Sequence, residues 1–288
     1  MPPTTITPLP SAGADEQGPK TMHVHTIIST EIPFAAAEGD DLIAIGDVHG
    51  HADALMAVIN TAMLIPTLPG AVRKFVFLGD LIDRGPHSLR CIDIAAATPN
   101  SVALMGNHEQ MLRILINEPT TSRGRYSGGL WAMNGGLTVL NELEAIAGAV
   151  PPEGEIRAAI GKTRAAWLDG LQSHFISGQI MAVHAGLNPE IPVDKFLDEP
   201  WLVEFRALQE HRHWAWIRKP FLDHIPAAGK GHHGFFVVHG HSTPGTDKVP
   251  VHQQLQRSRV NLDGGSFSTG KVRMAHITGN TLTVFEAG

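Results

Sequence analysis

Aspartate, histidine and asparagine recur in this chain where short apolar runs end in tight turns. Leu42 to Ile45 leads into Gly46-Asp47-Val48-His49-Gly50, and Phe75 to Leu78 leads into Gly79-Asp80-Leu81-Ile82-Asp83-Arg84-Gly85. Val102 to Met105 leads into Gly106-Asn107-His108-Glu109, Ile180 to Val183 into His184-Ala185-Gly186, and Phe235 to Val238 into His239-Gly240-His241. The chemistry open to such a set is metal binding. A mixed nitrogen and oxygen donor set suits manganese, iron or zinc better than calcium, which prefers oxygen alone. Asp47 and His49 stand two apart in an extended turn, so both can face one ion. Asp80 is the best-placed carboxylate to bridge two ions.

Elements of a particular kind must position these residues. Apolar runs of four or five residues bounded by turns fit strands buried on both faces. Helical spacing over Asp53 to Met63 and Ser88 to Ala97 separates the first three, which implies parallel βαβ units. Ligands in such sheets gather beyond the carboxyl ends of the strands, where all five clusters fall. Between 110 and 175, Met111 to Asn117, Leu130 to Ile146 and Glu155 to Leu171 read as helices, broken by Gly128-Gly129 and Pro151-Pro152. This stretch is expected to be a helical insertion near the site. The chain then returns to strands at Arg259 to Leu262, Val272 to Ile277 and Thr281 to Phe285, the last two joined across Gly279-Asn280. The fold class is α/β. Residues 1–20, rich in Pro, Thr, Gly and Ser, are expected to form a disordered tail, with 21–288 as one domain.

Composition narrows the partners. The net charge of −6 gives no support for a nucleic-acid partner, and no apolar run approaches a membrane span. The single cysteine, Cys91, excludes an internal disulfide and suits a reducing, cytosolic setting.

GDVHG, GDLIDRG and GNHE, followed by HAG and GHSTP, closely resemble the calcineurin-like metallophosphoesterases, and among them the bacterial and phage serine/threonine phosphoprotein phosphatases. The resemblance runs from about residue 42 to the C-terminus. It implies a four-layer sandwich of two mixed sheets flanked by helices, with a two-metal site at one edge. It further implies one metal held by Asp47, His49 and the bridging Asp80, and a second held by Asp80, Asn107, His184 and His241. His108 would donate a proton to the leaving oxygen, and Asp83 would orient and charge that imidazole. Arg84 would grip the phosphate, helped by Arg218 from a W-x-R pattern and by Asn107. The implied reaction uses a hydroxide bridging two ions, manganese first, with iron or zinc as alternatives. Such ions stand roughly 3.5–4 Å apart and clamp the phosphoryl oxygens for in-line attack.

Other features read more plainly. His239 either supports a ligand or is a strand-end histidine, and Glu109 is expected to hold its turn. Cys91 is expected to be a buried inert thiol. Gly229 to Gly234 matches GxGxxG by letters but precedes a strand, so it fails as a dinucleotide loop. Gly161-Lys162-Thr163 lacks the earlier glycine of a phosphate loop. His211, His213, His232 and His233 are expected to be exposed or packing residues, and Trp131, Trp201, Trp214 and Trp216 core or pocket wall. The expected activity is phosphomonoester hydrolysis on phosphoserine or phosphothreonine. Its rivals are diadenosine tetraphosphate hydrolysis, phosphodiester hydrolysis, and a silent metal-loaded binding module.

Overall fold

The computed structural model describes residues 22–201 and 212–288. The expected tail over 1–20 and His211 lie outside the described residues.

Among the described residues, ten strands form two mixed sheets. The first holds β1 (Val24–Glu31), β2 (Asp40–Ile45), β3 (Val72–Phe77), β4 (Ser101–Ala103), β9 (Val272–Thr278) and β10 (Thr281–Ala287), in the order β1-β10-β9-β2-β3-β4. The second holds β5 (His174–Ser177), β6 (Ile180–Val183), β7 (Phe236–His239) and β8 (Arg259–Asn261), in that order. Strands β2, β3 and β4 run parallel, as do β6, β7 and β8, while β1, β5, β9 and β10 supply the antiparallel pairings.

The apolar runs are continuous because both faces of the central strands are covered. Alternation sends Leu42 and Ala44 of β2 toward the second sheet, where they share a core with Ala182, Phe236 and Val238. Ile43 and Ile45 point the other way, against Leu55 and Val58 of α1 (Ala52–Leu64) and Cys91 of α2 (Ser88–Ala97). The outer face of the second sheet, through Met181, Val183 and Val237, packs on the helical stretch. Layers of helix, sheet, sheet and helix result, as the resemblance implied.

Between β4 and β5 the chain forms α3 (Asn107–Asn117), α4 (Ser122–Trp131), a single π-helical turn at Ala132–Gly136, α5 (Leu137–Ala147), α6 (Ile156–Ala159) and α7 (Lys162–Asp169). The helix break expected at Gly128-Gly129 is absent, because both glycines lie inside α4. A Cβ on Gly128 would come within 2.8 Å of the Leu115 side chain, so this glycine permits close packing of α4 on α3. The chain bends instead at Gly135, whose φ of 111° suits glycine. Sequence patterning also missed β1 and β5, edge strands whose exposed positions interrupt any apolar run.

Candidate active site

The turns after β2, β3, β4, β6 and β7 converge at one end of the two sheets. Asp47, His49, Asp80, Asn107, His184 and His241 are all buried there. Five non-glycine residues in these turns carry positive φ: His49 (45°), Asp80 (52°), Asp83 (71°), Arg84 (69°) and His241 (66°). A left-handed backbone at non-glycine residues costs about 1–3 kcal/mol each and persists only where the surroundings over-determine it. Here it turns consecutive side chains toward one point.

His49, Asp80 and His108 each bring one ligand atom within 4.8 Å of the others, and so do Asp80, His184 and His241. Asp80 belongs to both groups. Asp47 lies outside these two triplets, and its carboxylate accepts the His241 backbone N–H at 3.0 and 3.1 Å. A Cβ on Gly240 would sit 2.0 Å from Asp47 Oδ1, so only glycine admits that carboxylate.

Each imidazole is fixed through one nitrogen. His49 Nδ1–H donates to the Ile82 carbonyl at 2.9 Å, His184 Nδ1–H to Leu78 at 2.8 Å, and His241 Nε2–H to Trp216 at 3.1 Å. Backbone carbonyls commonly orient metal-binding histidines in this way. The remaining Nδ1 of His241 faces Asn107 Oδ1 at 2.8 Å, so two acceptors confront each other. A cation between them resolves that contact. On the other side, His49 Nε2 accepts Arg84 Nη1–H at 3.0 Å, so a cation there must displace the guanidinium.

The electrostatics make the same demand. Burial raises the Asp47 carboxyl well above its ordinary range, and neighbouring Asp263 and Asp80 add to the rise. Burial also opposes ionisation of Asp80, but His184 and His108 overcome it and hold Asp80 well below that range. His184 is lifted to about 9, since Asp80 outweighs the burial that would lower it. A proton on His184 thus supplies positive charge that the carboxylates require. Burial holds His49 and His241 well below the usual imidazole value, ready to offer lone pairs.

Beside this set stands a second constellation. His108 Nδ1–H donates to Asp83 Oδ2 at 2.6 Å, while His108 Nε2 is buried without a hydrogen-bond partner. Burial dominates, lowering His108 to about 4 and raising Asp83 well above the carboxylate range. Asp83 orients the ring through this hydrogen bond. Arg84 is held by its Nε–H to the Asn134 carbonyl at 3.1 Å. Arg218 reaches the same centre, with Nη2 at 3.4 Å from the His241 carbonyl.

Two neighbours of this centre escaped the sequence reading. Trp131 donates its indole N–H to Asp83 Oδ1 at 2.9 Å. Asp263 is buried beside Asp47 and raised to about 6, chiefly by burial. It follows β8 in Leu262-Asp263-Gly264, the same run-to-turn pattern as the other clusters, and that signal could have found it. His239 lies outside both donor triplets and meets Nη1 of the fully buried Arg259 at 3.2 Å, which itself pairs with Asp247 at 2.5 Å. His213 and His232 are buried packing residues and His233 is exposed. Trp131, Trp214 and Trp216 are buried, Trp201 half-buried, and the Cys91 thiol is buried and raised by that burial.

Comparisons with known proteins identify the family. Residues 41–270 match the Calcineurin-like phosphoesterase family model. Serine/threonine-protein phosphatase 1 of Salmonella typhimurium is 36% identical over 92 residues, which is 32% of this chain and 37% of that protein. Serine/threonine-protein phosphatase rdgC of Drosophila melanogaster is 34% identical over 82 residues, 27% of this chain and 12% of that protein. The chain thus spans well under half the length of these curated relatives. Among solved structures, one assigned as a diadenosine tetraphosphatase superposes with a TM-score of 0.52 at 18% identity, covering 87% of this chain and 97% of that one. A cold-active protein tyrosine phosphatase gives 0.51 at 17% identity, covering 84% and 78%. With the family match spanning all five clusters, the chain belongs to the calcineurin-like phosphoesterases.

Proposed function

We propose that this chain hydrolyses phosphomonoesters with two divalent cations, and that its substrates are phosphoserine and phosphothreonine side chains of proteins. The observation that carries this reading is the position of Asp80, shared by two donor triplets and bordered by His108, Asp83 and Arg84. Asp47, His49 and Asp80 would hold one ion, and Asp80, Asn107, His184 and His241 the other. When bound, the ions activate water and neutralise phosphoryl charge. Manganese is our first assignment from the mixed donor set, with iron or zinc as alternatives.

The chain's own residues supply the rest. Arg84 and Arg218 approach the centre from different elements and would grip phosphate oxygens. His108, tied through Nδ1, keeps Nε2 for a proton that would pass to the leaving oxygen. Asp83 holds the ring at the angle this transfer needs. The partial match to two serine/threonine-protein phosphatases supports the protein substrate. We place the protein in the cytosol, in keeping with its one buried free thiol. Among the described residues no helix is long and apolar enough to cross a membrane. We read residues 21–288 as one domain, with 110–175 as its insertion.

One observation favours a second reading. Phe267, 46% exposed, lies with its ring centre 4.9 Å from the Arg84 guanidinium carbon and turns toward His49. A flat apolar surface beside the phosphate arginine suits an ester with an aromatic body, such as a dinucleotide or phosphotyrosine. Rates of the manganese-loaded protein on phosphoserine peptide, phosphotyrosine peptide and diadenosine tetraphosphate decide between them. Preference for the phosphoserine peptide, unaffected by Phe267→Ala, is expected. Preference for an aromatic ester that Phe267→Ala abolishes would replace our substrate with the second class.

A further inference from the structure

His108 can serve as a proton donor only if its ring is held, and the ring is held by Asp83. What holds Asp83 lies in the helical insertion. Its carboxylate is buried and both oxygens are engaged, Oδ2 by His108 Nδ1–H at 2.6 Å and Oδ1 by Trp131 Nε1–H at 2.9 Å. A carboxylate gripped at both oxygens cannot swing about its Cβ–Cγ bond. Its backbone is fixed as well, since Asp83 N–H donates to Ser88 Oγ and Ser88 N–H donates to Glu142 of α5.

Trp131 ends α4, and the chain then folds back sharply. A Cβ on Gly136 would fall 2.3 Å from the indole ring, so the glycine lets the backbone close over it. The same bend offers the Asn134 and Gly135 carbonyls to Nε–H and backbone N–H of Arg84, both at 3.1 Å. The short stretch 131–136 therefore clamps two consecutive residues of the active-site turn, Asp83 through a side chain and Arg84 through carbonyls. If packing were its only role, any nearby backbone carbonyl would satisfy the Trp131 N–H. Trp131 gives it to the carboxylate that accepts the His108 Nδ1–H.

We propose that Trp131 is a positioning residue for proton donation, its indole N–H locking Asp83 and through it the His108 imidazole. This rests on His108 acting as the proton donor, as set out above. The insertion is then part of the active site rather than a decoration beside it.

Trp131→Phe keeps an aromatic ring and removes the N–H. The manganese-loaded variant would be compared with the parent protein on a phosphoserine peptide, whose alkoxide leaves only with a proton, and on 4-nitrophenyl phosphate, whose leaving group needs none. Expected is a fall in kcat of about 10- to 100-fold on the peptide, with a change under about threefold on the aryl ester and an unchanged KM. His108→Asn, run alongside, should show the same selectivity more strongly. Gly136→Ala retains the donor but displaces the indole, and should reproduce the selective loss if Trp131→Phe does not fold. Equal loss on both esters, or no loss on either, in a folded variant would overturn the role of Trp131. Should His108→Asn itself lose both activities equally, the general-acid reading falls, and Trp131's role with it. A parent protein inactive on both esters would overturn the phosphatase reading underneath.

Discussion

The carboxylate of Glu109 takes the backbone N–H groups of Asp80 and Leu81 at 2.8 Å each. It also accepts the N–H of Gly106 at 3.1 Å, three residues before it in its own turn. One buried side chain thereby locks the turn after β4 to the turn after β3, and fixes the left-handed backbone at Asp80. Burial raises Glu109 to about 7, while the backbone N–H groups of Asp80 and Leu81 pull it back. Glu109→Ala would orphan buried donors at roughly 1–3 kcal/mol each. We expect a loss of several kcal/mol by urea denaturation and at least about tenfold weaker metal binding in a titration. Unchanged stability and affinity together would remove Glu109 from this role.

Asp80→Asn tests the shared carboxylate. Elemental analysis of the variant should find fewer than two ions per chain, since the one residue common to both donor triplets has lost its charge. Two retained ions would rule out the bridge.

The two arginines invite a separate test. Arg84→Ala and Arg218→Ala should each weaken inhibition by inorganic phosphate, by about tenfold for a charged contact of 1.5 kcal/mol or more. Unchanged inhibition in Arg218→Ala would remove that residue from the phosphate site.

Stability should depend on pH through histidines remote from the reaction. Burial lowers both His213 and His232 to about 4, although carbonyls of Pro200 and Arg257 partly oppose it. An unfolded chain takes up these protons near pH 6.5 while the folded chain refuses them. Their contribution is therefore complete above about pH 6.5 and is lost as pH falls through that value toward 4. These two histidines should make melting temperature fall between pH 6.5 and 5. The fall should shrink in His213→Gln/His232→Gln. An equal fall in the parent and in the double variant across that window would contradict the assignment.

How much was legible in the sequence follows from how far each residue stands from its partner. The metal-ligand candidates follow their strands directly, so spacing alone gathers Asp47 with His49 and Asn107 with His108. Trp131 meets Asp83 across 48 residues, and Glu109 meets Asp80 across 29, distances over which no local pattern operates. An indole in an apolar helix looks like core, which Trp131 also is. Gly128 and Gly135 carry the same letter, yet one permits helix packing and the other a bend. Only the neighbours Leu115 and Arg84 tell them apart.

The central claim is that two cations held around Asp80 drive ester hydrolysis, and a manganese titration tests it most directly. Protein stripped with a chelator would be returned manganese in steps while 4-nitrophenyl phosphate hydrolysis is followed. The stripped protein should be inactive, with activity rising to a plateau at two equivalents per chain. Full activity in the stripped protein, or a plateau at one equivalent that Asp80→Asn shares, would contradict it.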